Sequence, residues 1–179
     1  MKSNIKYLFE PRSIAIIGAS HHKDKIGYKI LENIISSGYK GKIYPVNPQG
    51  GKILGVTSYK TVEDIKDEID VVSIVIPAKF VFDAVKTCPA KKTKFLSIIS
   101  SGFSEIGNIE EEKKIVDYAS EHGMRVLGPN IFGLFSAVSS LNATFGPKNI
   151  RKGNVAIITQ SGALGIAMIG QTAFENIGL

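Results

Sequence analysis

Short, almost wholly apolar runs alternate along the chain with segments whose apolar residues recur every three to four positions. The runs are SIAII at 13–17, KIYPV at 42–46, DVVSIVI at 70–76, KFLSIIS at 94–100 and MRVL at 124–127. Continuous stretches of small and β-branched residues at this length suit strands buried on both faces. Between them, 27–37 places Ile30, Leu31, Ile34 and Ile35 on one helical face, and Gly38 supplies a helix stop. Residues 62–68 predict a short polar helix with Thr61 as its N-cap. A further helix is predicted over 79–86, and a charged amphipathic one over 109–122 with Ile115, Val116 and Ala119 inward. Strand–helix alternation of this kind predicts an α/β fold, a Rossmann-like doubly wound parallel sheet with helices on both faces.

Past residue 130 the pattern weakens. FGLFSAVSSLNATFG suits an irregular linker or a short hairpin. NVAIIT at 154–159 predicts a sixth buried strand, followed by an apolar helix running to about residue 176. A domain boundary is expected at 148–153, with 1–147 as one domain and 148–179 as the first strand and helix of a second. One strand and one helix cannot bury their apolar surface alone, so that second domain is expected to be incomplete and the chain a fragment of a longer protein. An uncovered apolar face there favours homo-oligomerisation or partial disorder of 154–179.

In doubly wound sheets ligands bind outside the carboxyl ends of the strands. The predicted strand ends carry Gly18-Ala19-Ser20, Val46-Asn47-Pro48, Ile76-Pro77-Ala78, Ser100-Ser101-Gly102 and Gly128-Pro129-Asn130, all with tips free of bulk. A buried strand opening through Gly18-Ala19-Ser20 into a helix start leaves backbone N–H groups and the positive end of a helix dipole facing a cleft, which suits a phosphate. Two familiar phosphate sites are excluded. The glycines after the first strand fall at Gly18 and Gly27 rather than as G-x-G-x-x-G, and Asn47 stands where an NAD site wants an acidic residue. There is no G-x-x-x-x-G-K-[ST] either. The ligand is expected to be another phosphate-bearing nucleotide.

Composition narrows the partners. The 179 residues are 44% hydrophobic and 21% charged, with a net charge of +6. The lysines are scattered and not interleaved with aromatics, which argues against nucleic acid. No apolar run approaches the roughly 20 residues that span a bilayer, and the N-terminus lacks a signal-peptide core. A single cysteine, Cys88, rules out a disulfide framework and a cysteine-based metal site and fits the reducing cytoplasm.

FEPRSIAIIGAS, IYPVNPQG, VVSIVIPA, SIISSGFSEIG, RVLGPNIFG and GNVAIITQSGALG follow one another along the chain. Together they resemble the NDP-forming acyl-CoA synthetases, typified by ADP-forming acetate–CoA ligase, with succinyl-CoA synthetase α chains as more distant relatives. The resemblance spans 8–170. It implies a CoA-binding domain followed by the start of a flavodoxin-like ligase domain. It implies the interconversion of acyl-CoA, ADP and phosphate with acid, CoA and ATP, through acyl phosphate and a phosphohistidine. Gly18, Ala19 and Ser20 resemble the turn that receives the CoA phosphates, with Lys25 as an added cation. Val46, Asn47 and Pro48 resemble the loop beside the nucleotide, and Ile76, Pro77 and Ala78 the loop along the path to pantetheine. Ser100, Ser101 and Gly102 resemble the segment lining the thiol arm, and Asn130 the residue near the thiol. Ser161 and Gly162 resemble the helix N-terminus that holds the phosphate of the phosphohistidine.

His21, His22 and His122 match no phosphohistidine motif, so no catalytic residue is expected within this chain. The resemblance places ADP/ATP, Mg and the nucleotide-grasp part in the parent enzyme only, as domains or a partner subunit. Ile131 after Gly-Pro-Asn stands where many relatives carry a smaller or polar residue. Glu105 is a candidate general acid, although loop carboxylates usually face water. The alternatives are a stand-alone CoA-binding regulatory module, part of a protein lysine acetyltransferase, or, least supported, an NAD(P) oxidoreductase.

Overall fold

Every residue of Ser13–Ile17 (β1) is buried, and alternate side chains enter two different cores. Ala15 and Ile17 pack on one face of the sheet, and Ile14 and Ile16 on the other. This is the period-two geometry of a strand covered on both sides. The computed structural model describes residues 5–179. A short helix α1 (Lys6–Phe9) precedes β1, and α2 (Ile26–Ser36) follows it. The chain continues through β2 (Lys42–Val46), a small hairpin of β3 (Lys52–Ile53) and β4 (Val56–Thr57), β5 (Val71–Ile74) and α3 (Val81–Thr87). Then come β6 (Phe95–Ile98), α4 (Ile109–Glu121), β7 (Arg125–Leu127), a second hairpin of β8 (Gly133–Ser136) and β9 (Leu141–Thr144), and α5 (Gly162–Phe174).

The central sheet has the order β2-β1-β5-β6-β7, parallel throughout. The chain first grows from β1 to one edge and then returns to add β5 on the other side of β1. The switch point therefore lies between β1 and β5, where an open α/β sheet leaves a crevice at its carboxyl end. One face is covered by α3 and α4 through Val81, Val85, Ile115 and Ala119. The other is covered by α2 through Ile30, Leu31 and Ile34, and by the β8–β9 hairpin through Leu134, Leu141 and Ala143. The amino end of the sheet is closed by Asp70, which accepts from the Arg12 backbone N–H at 2.8 Å and from its guanidinium at 3.0 Å. Among the described residues no helix is long and apolar enough to cross a membrane.

Three expectations fail locally. Residues 62–68 are turns rather than a helix. Val62, Ile65 and Ile69 do bury at helical spacing, but the Lys91 ammonium takes the carbonyls of Glu63 and Ile65, and the Ile69 N–H donates to Lys91 O. The acceptors a helix needs are thereby used from outside. Thr61 is not a cap; its N–H donates to the Asp64 carboxylate. Val116 is 41% exposed, because the buried stripe of α4 runs through Ile115 and Ala119. Residues 154–159 form no strand and are largely exposed. Among the described residues they pair with no strand, and the Val155 N–H bonds to Gly178 O instead. The stretch expected to be a linker or short hairpin does contain a hairpin, β8–β9, packed on α2.

Candidate functional site

The five strand-end loops touch one another in sheet order, and glycine is what lets them. Gly18 lies at φ +96°, and a Cβ there would fall 2.4 Å from Val75 O and 2.8 Å from Ile76 Cγ2. The turn after β1 is thus pressed against the end of β5, at the switch point. Gly27, in the first turn of α2, sits on the same turn: a Cβ there would lie 1.9 Å from Gly18 O. Gly18 N–H donates to Val46 O, and the Asn47 amide donates to Ala19 O at 2.7 Å. On the other side, Ile76 N–H donates to Ser100 Oγ at 3.1 Å, and Asn130 N–H donates to Ser100 O at 3.0 Å. Gly102, at φ +113°, has no room for a side chain against Ala78 Cβ, 2.9 Å from where its own Cβ would be.

The donors at the switch point are open. α2 has no side-chain cap; Lys25 stands at its N-cap with an exposed side chain. Among the described residues, the N–H groups of Ser20, Ile26 and Gly27 have no protein acceptor. A helix start of this kind carries partial positive charge and unpaired donors, the combination that binds phosphate. Lys23, Lys25, His21 and His22 lie in the exposed segment between that turn and the helix.

The predicted site residues divide by what their polar atoms already do. Asn47 is committed: its amide nitrogen holds Ala19 O, and its Oδ1 accepts from Gln49 N–H at 2.8 Å. Ser100 is buried and spans β5 and β6. Ser20 Oγ accepts from His22 N–H at 3.1 Å. Asn130 is exposed, with φ +56° presenting it at the loop tip. Val46 is buried, Ile76 and Ala78 are half-buried, and Pro48, Pro77 and Ser101 face solvent. Ser161 caps α5, its Oγ accepting from Leu164 N–H at 3.2 Å. A Cβ on Gly162 would fall 3.8 Å from Phe132 Cβ, two residues after Asn130, so the start of α5 lies near the β7 end of the cleft.

Glu105 is not placed as an acid. Its carboxylate accepts from the Gly102 and Phe103 N–H groups. The Gly102 hydrogen bond is the main cause that holds its pKa below the usual range, and the side chain stays ionised. Gly27 and Phe132 were not visible as site residues in the sequence. The signal for Gly27 was its place nine residues after Gly18, at the start of a helix. Two cavities lie outside this cleft. One of about 470 Å³ lies between α2 and the segment after β9, lined by Lys23, Lys29, Asn33, Phe145 and Lys148. The other, of about 250 Å³, lies at the amino end of the sheet around Pro11, Tyr39 and Ser139.

Residues 12–135 match the family model described as a CoA binding domain. The chain belongs to that family. It is 50% identical over 98% of its length to the α subunit of an ADP-forming acetate–CoA ligase I from Pyrococcus furiosus. It superposes with a TM-score of 0.95, at 49% identity over 98% of its length, on a dinucleotide-forming acetyl-coenzyme A synthetase 1 from Ca. Korarchaeum cryptofilum solved with phosphate and ADP. A more distant match, 28% identical over 72% of the chain, is the α subunit of an ADP-forming succinate–CoA ligase from Methanothermobacter thermautotrophicus. The chain spans 39% and 38% of the length of the first two of these proteins.

Proposed function

We propose that this chain is the CoA-binding part of an ADP-forming acyl-CoA synthetase, with CoA lying along the carboxyl ends of the sheet. The observation that carries this reading is the group of acceptor-free N–H donors at Ser20, Ile26 and Gly27, gathered at the switch point by the side-chain-free contact of Gly18 with Gly27. Ser20 offers its N–H to the phosphates together with Ile26 and Gly27, while Gly18 and Ala19, expected as donors but with their own N–H groups bonded to Val46 O and Ile16 O, shape the turn; the exposed Lys25 ammonium adds a cation. Asn47 acts by holding Ala19 in place, since both ends of its amide are occupied. Val46 and Pro48 flank the nucleotide. Ile76, Pro77 and Ala78 line the path of the pantetheine, Ser100, Ser101 and Gly102 the thiol arm, and Asn130 the thiol end.

CoA supplies the thiol that takes up the acyl group when the parent enzyme interconverts acyl-CoA, ADP and phosphate with acid, CoA and ATP. The Ser161–Gly162 start of α5 is suited to hold a phosphoryl group, through N–H donors near a helix dipole. The phosphohistidine, ADP/ATP and Mg belong to the ligase and nucleotide-grasp parts, as further domains or a partner subunit, and this chain by itself does not complete the reaction. Residues 148–179 are the opening of the ligase domain. The apolar surface of α5 supports this: Leu164 is 52% exposed and Phe174 83%, as expected of a helix that is apolar all round and meets further elements. Titration calorimetry against CoA, NAD and ATP tests the reading. It expects saturable binding of CoA and none of NAD; a folded sample that ignores CoA overturns it.

A further inference from the structure

The cavity between α2 and the segment after β9 has the chemistry of an anion site. Its volume is about 470 Å³, within the roughly 300–1,000 Å³ of small-molecule sites. Its walls are pinned to each other, because buried Asn33 of α2 donates to Thr144 O at 2.8 Å and to Gly146 O at 3.1 Å. Gly146 is in turn seated on Phe132, since a Cβ there would fall 2.2 Å from Phe132 Cζ. Lys23, Lys29 and Lys148 line the space, with Glu32 as the one carboxylate. Glu32 is paired with Lys148 at 2.9 Å. Lys23 and Lys29 form no ion pair among the described residues.

Tyr28 points to a ligand independently of the lysines. It is only 8% exposed, its ring belongs to the core beneath α2, and it lines the cavity. Among the described residues its hydroxyl makes no hydrogen bond. A nearly buried hydroxyl is ordinarily paired, and the cavity is where an acceptor can reach this one. Half-buried Phe145 adds an apolar wall.

We propose that this cavity binds a small ligand with a terminal phosphate, separate from the CoA of the cleft. Lys23, Lys29 and Lys148 neutralise its charge, and the Tyr28 hydroxyl donates to a phosphate oxygen. Ammonium groups are compact point charges that meet a phosphate without a fixed fork geometry, and a hydrogen bond to an ionised oxygen is a strong one. Glu32 offsets one of the three cations, so a singly charged ligand gains little and a doubly charged terminal phosphate gains most.

Amide NMR titration of the full chain with ADP, pyrophosphate and adenosine tests this. No CoA is added, so the outcome does not depend on the reading of the cleft. The amides of Lys29, Glu32 and Gly146 report on the cavity, and those of Ser20 and Gly27 on the cleft. ADP, pyrophosphate or both should shift the first group saturably, and adenosine or sodium chloride at matched ionic strength should not. Tighter binding of ADP identifies an organic phosphate as the ligand, and pyrophosphate binding at least as tight identifies the phosphates alone as what is recognised; both support the site. Tyr28→Phe keeps the ring, removes only the hydroxyl, and should weaken binding about tenfold, the loss of one hydrogen bond to a charged oxygen. Lys29→Gln should weaken it about two- to fivefold, an effect that fades in salt. Glu32→Gln should tighten it about two- to fivefold, because it removes a negative charge and releases Lys148, a gain that a structural disturbance does not give. The proposal is overturned if neither phosphate probe shifts the cavity amides, if their shifts are confined to Ser20 and Gly27, if adenosine or sodium chloride reproduces them, or if Tyr28→Phe or Glu32→Gln leaves the affinity unchanged.

Discussion

Replacing Gly27 by alanine sets two effects of known size against each other. Alanine is preferred over glycine in a helix by about 1 kcal/mol, which favours the variant. Against it, the added methyl would sit 1.9 Å from Gly18 O, 2.8 Å from Gly18 C and 3.1 Å from Ala19 Cα, all of them backbone. No side chain can rotate away, so α2 must move off the turn. Overpacking of this kind costs about 1–3 kcal/mol, and a backbone neighbour on one side and a helix on the other put it at the upper end. The packing term wins, and the variant should be less stable by about 1–2 kcal/mol, or roughly 2–8 °C in Tm for a chain of this size. The same displacement separates Ser20 N–H from those of Ile26 and Gly27, so CoA affinity should fall about tenfold, equivalent to roughly 1.4 kcal/mol. Gly170→Ala is the control: nothing lies within 4 Å of its missing Cβ, so propensity acts alone and the change is neutral or stabilising by up to about 1 kcal/mol. Urea unfolding and CoA calorimetry of both variants provide the readout. A Gly27→Ala protein as stable as the parent that binds CoA within twofold would refute the close approach of α2 to the turn, and the phosphate site built on it.

Three further outcomes are expected. Asp70→Asn should destabilise the fold by about 1–3 kcal/mol in urea titrations, because it weakens a buried acceptor of three Arg12 hydrogen bonds. Burial pushes the Asp70 carboxyl up, but the Arg12 hydrogen bonds and charge outweigh it and leave it below the usual range. That stabilisation is present above the unfolded pKa, about 3.9, and is lost as pH falls through the lower folded value, so the difference between parent and Asp70→Asn should shrink in acid. Glu105→Ala should free the Gly102 and Phe103 N–H groups and weaken CoA binding several-fold in calorimetry, with no change in its pH dependence between about 6 and 9, where a carboxylate of ordinary or lowered pKa stays ionised; an unmoved affinity, or a new titration in that range, would argue against its holding role. Lys25→Ala should weaken CoA binding about two- to fivefold at low salt, and the difference should fade at high salt, as expected for an exposed cation near phosphate.

The fold was legible where one apolar run served one element. β1 and β2 occupy the predicted residues because their apolar runs end at small or turn-forming residues on both sides, and parallel burial asks for nothing beyond apolarity. The failures come from contacts that no local pattern carries. Val62, Ile65 and Ile69 have helical spacing, yet Lys91, more than twenty residues away in sequence, takes their segment's carbonyls. NVAIIT has the composition of a strand but pairs with no strand among the described residues, its Val155 N–H bonding to Gly178 O. The strand-end loops could be placed at the cleft from topology alone, because the carboxyl ends of parallel strands must share one edge of the sheet. How their atoms are used was not legible. Asn47 and Ser100 proved to be ties between loops, and Glu105, a carboxylate that could have been an acid, is a cap on two backbone amides. Gly27 and Gly146 matter for the side chains they lack, and only the three-dimensional neighbour reveals that.

The most direct test of the account is a structure of this chain with CoA bound. It should show the phosphates on the N–H groups of Ser20, Ile26 and Gly27, and the thiol end beside Ser100 and Asn130. CoA lodged instead in the lysine-lined cavity between α2 and the segment after β9, or running in the opposite direction along the strand ends, would contradict it.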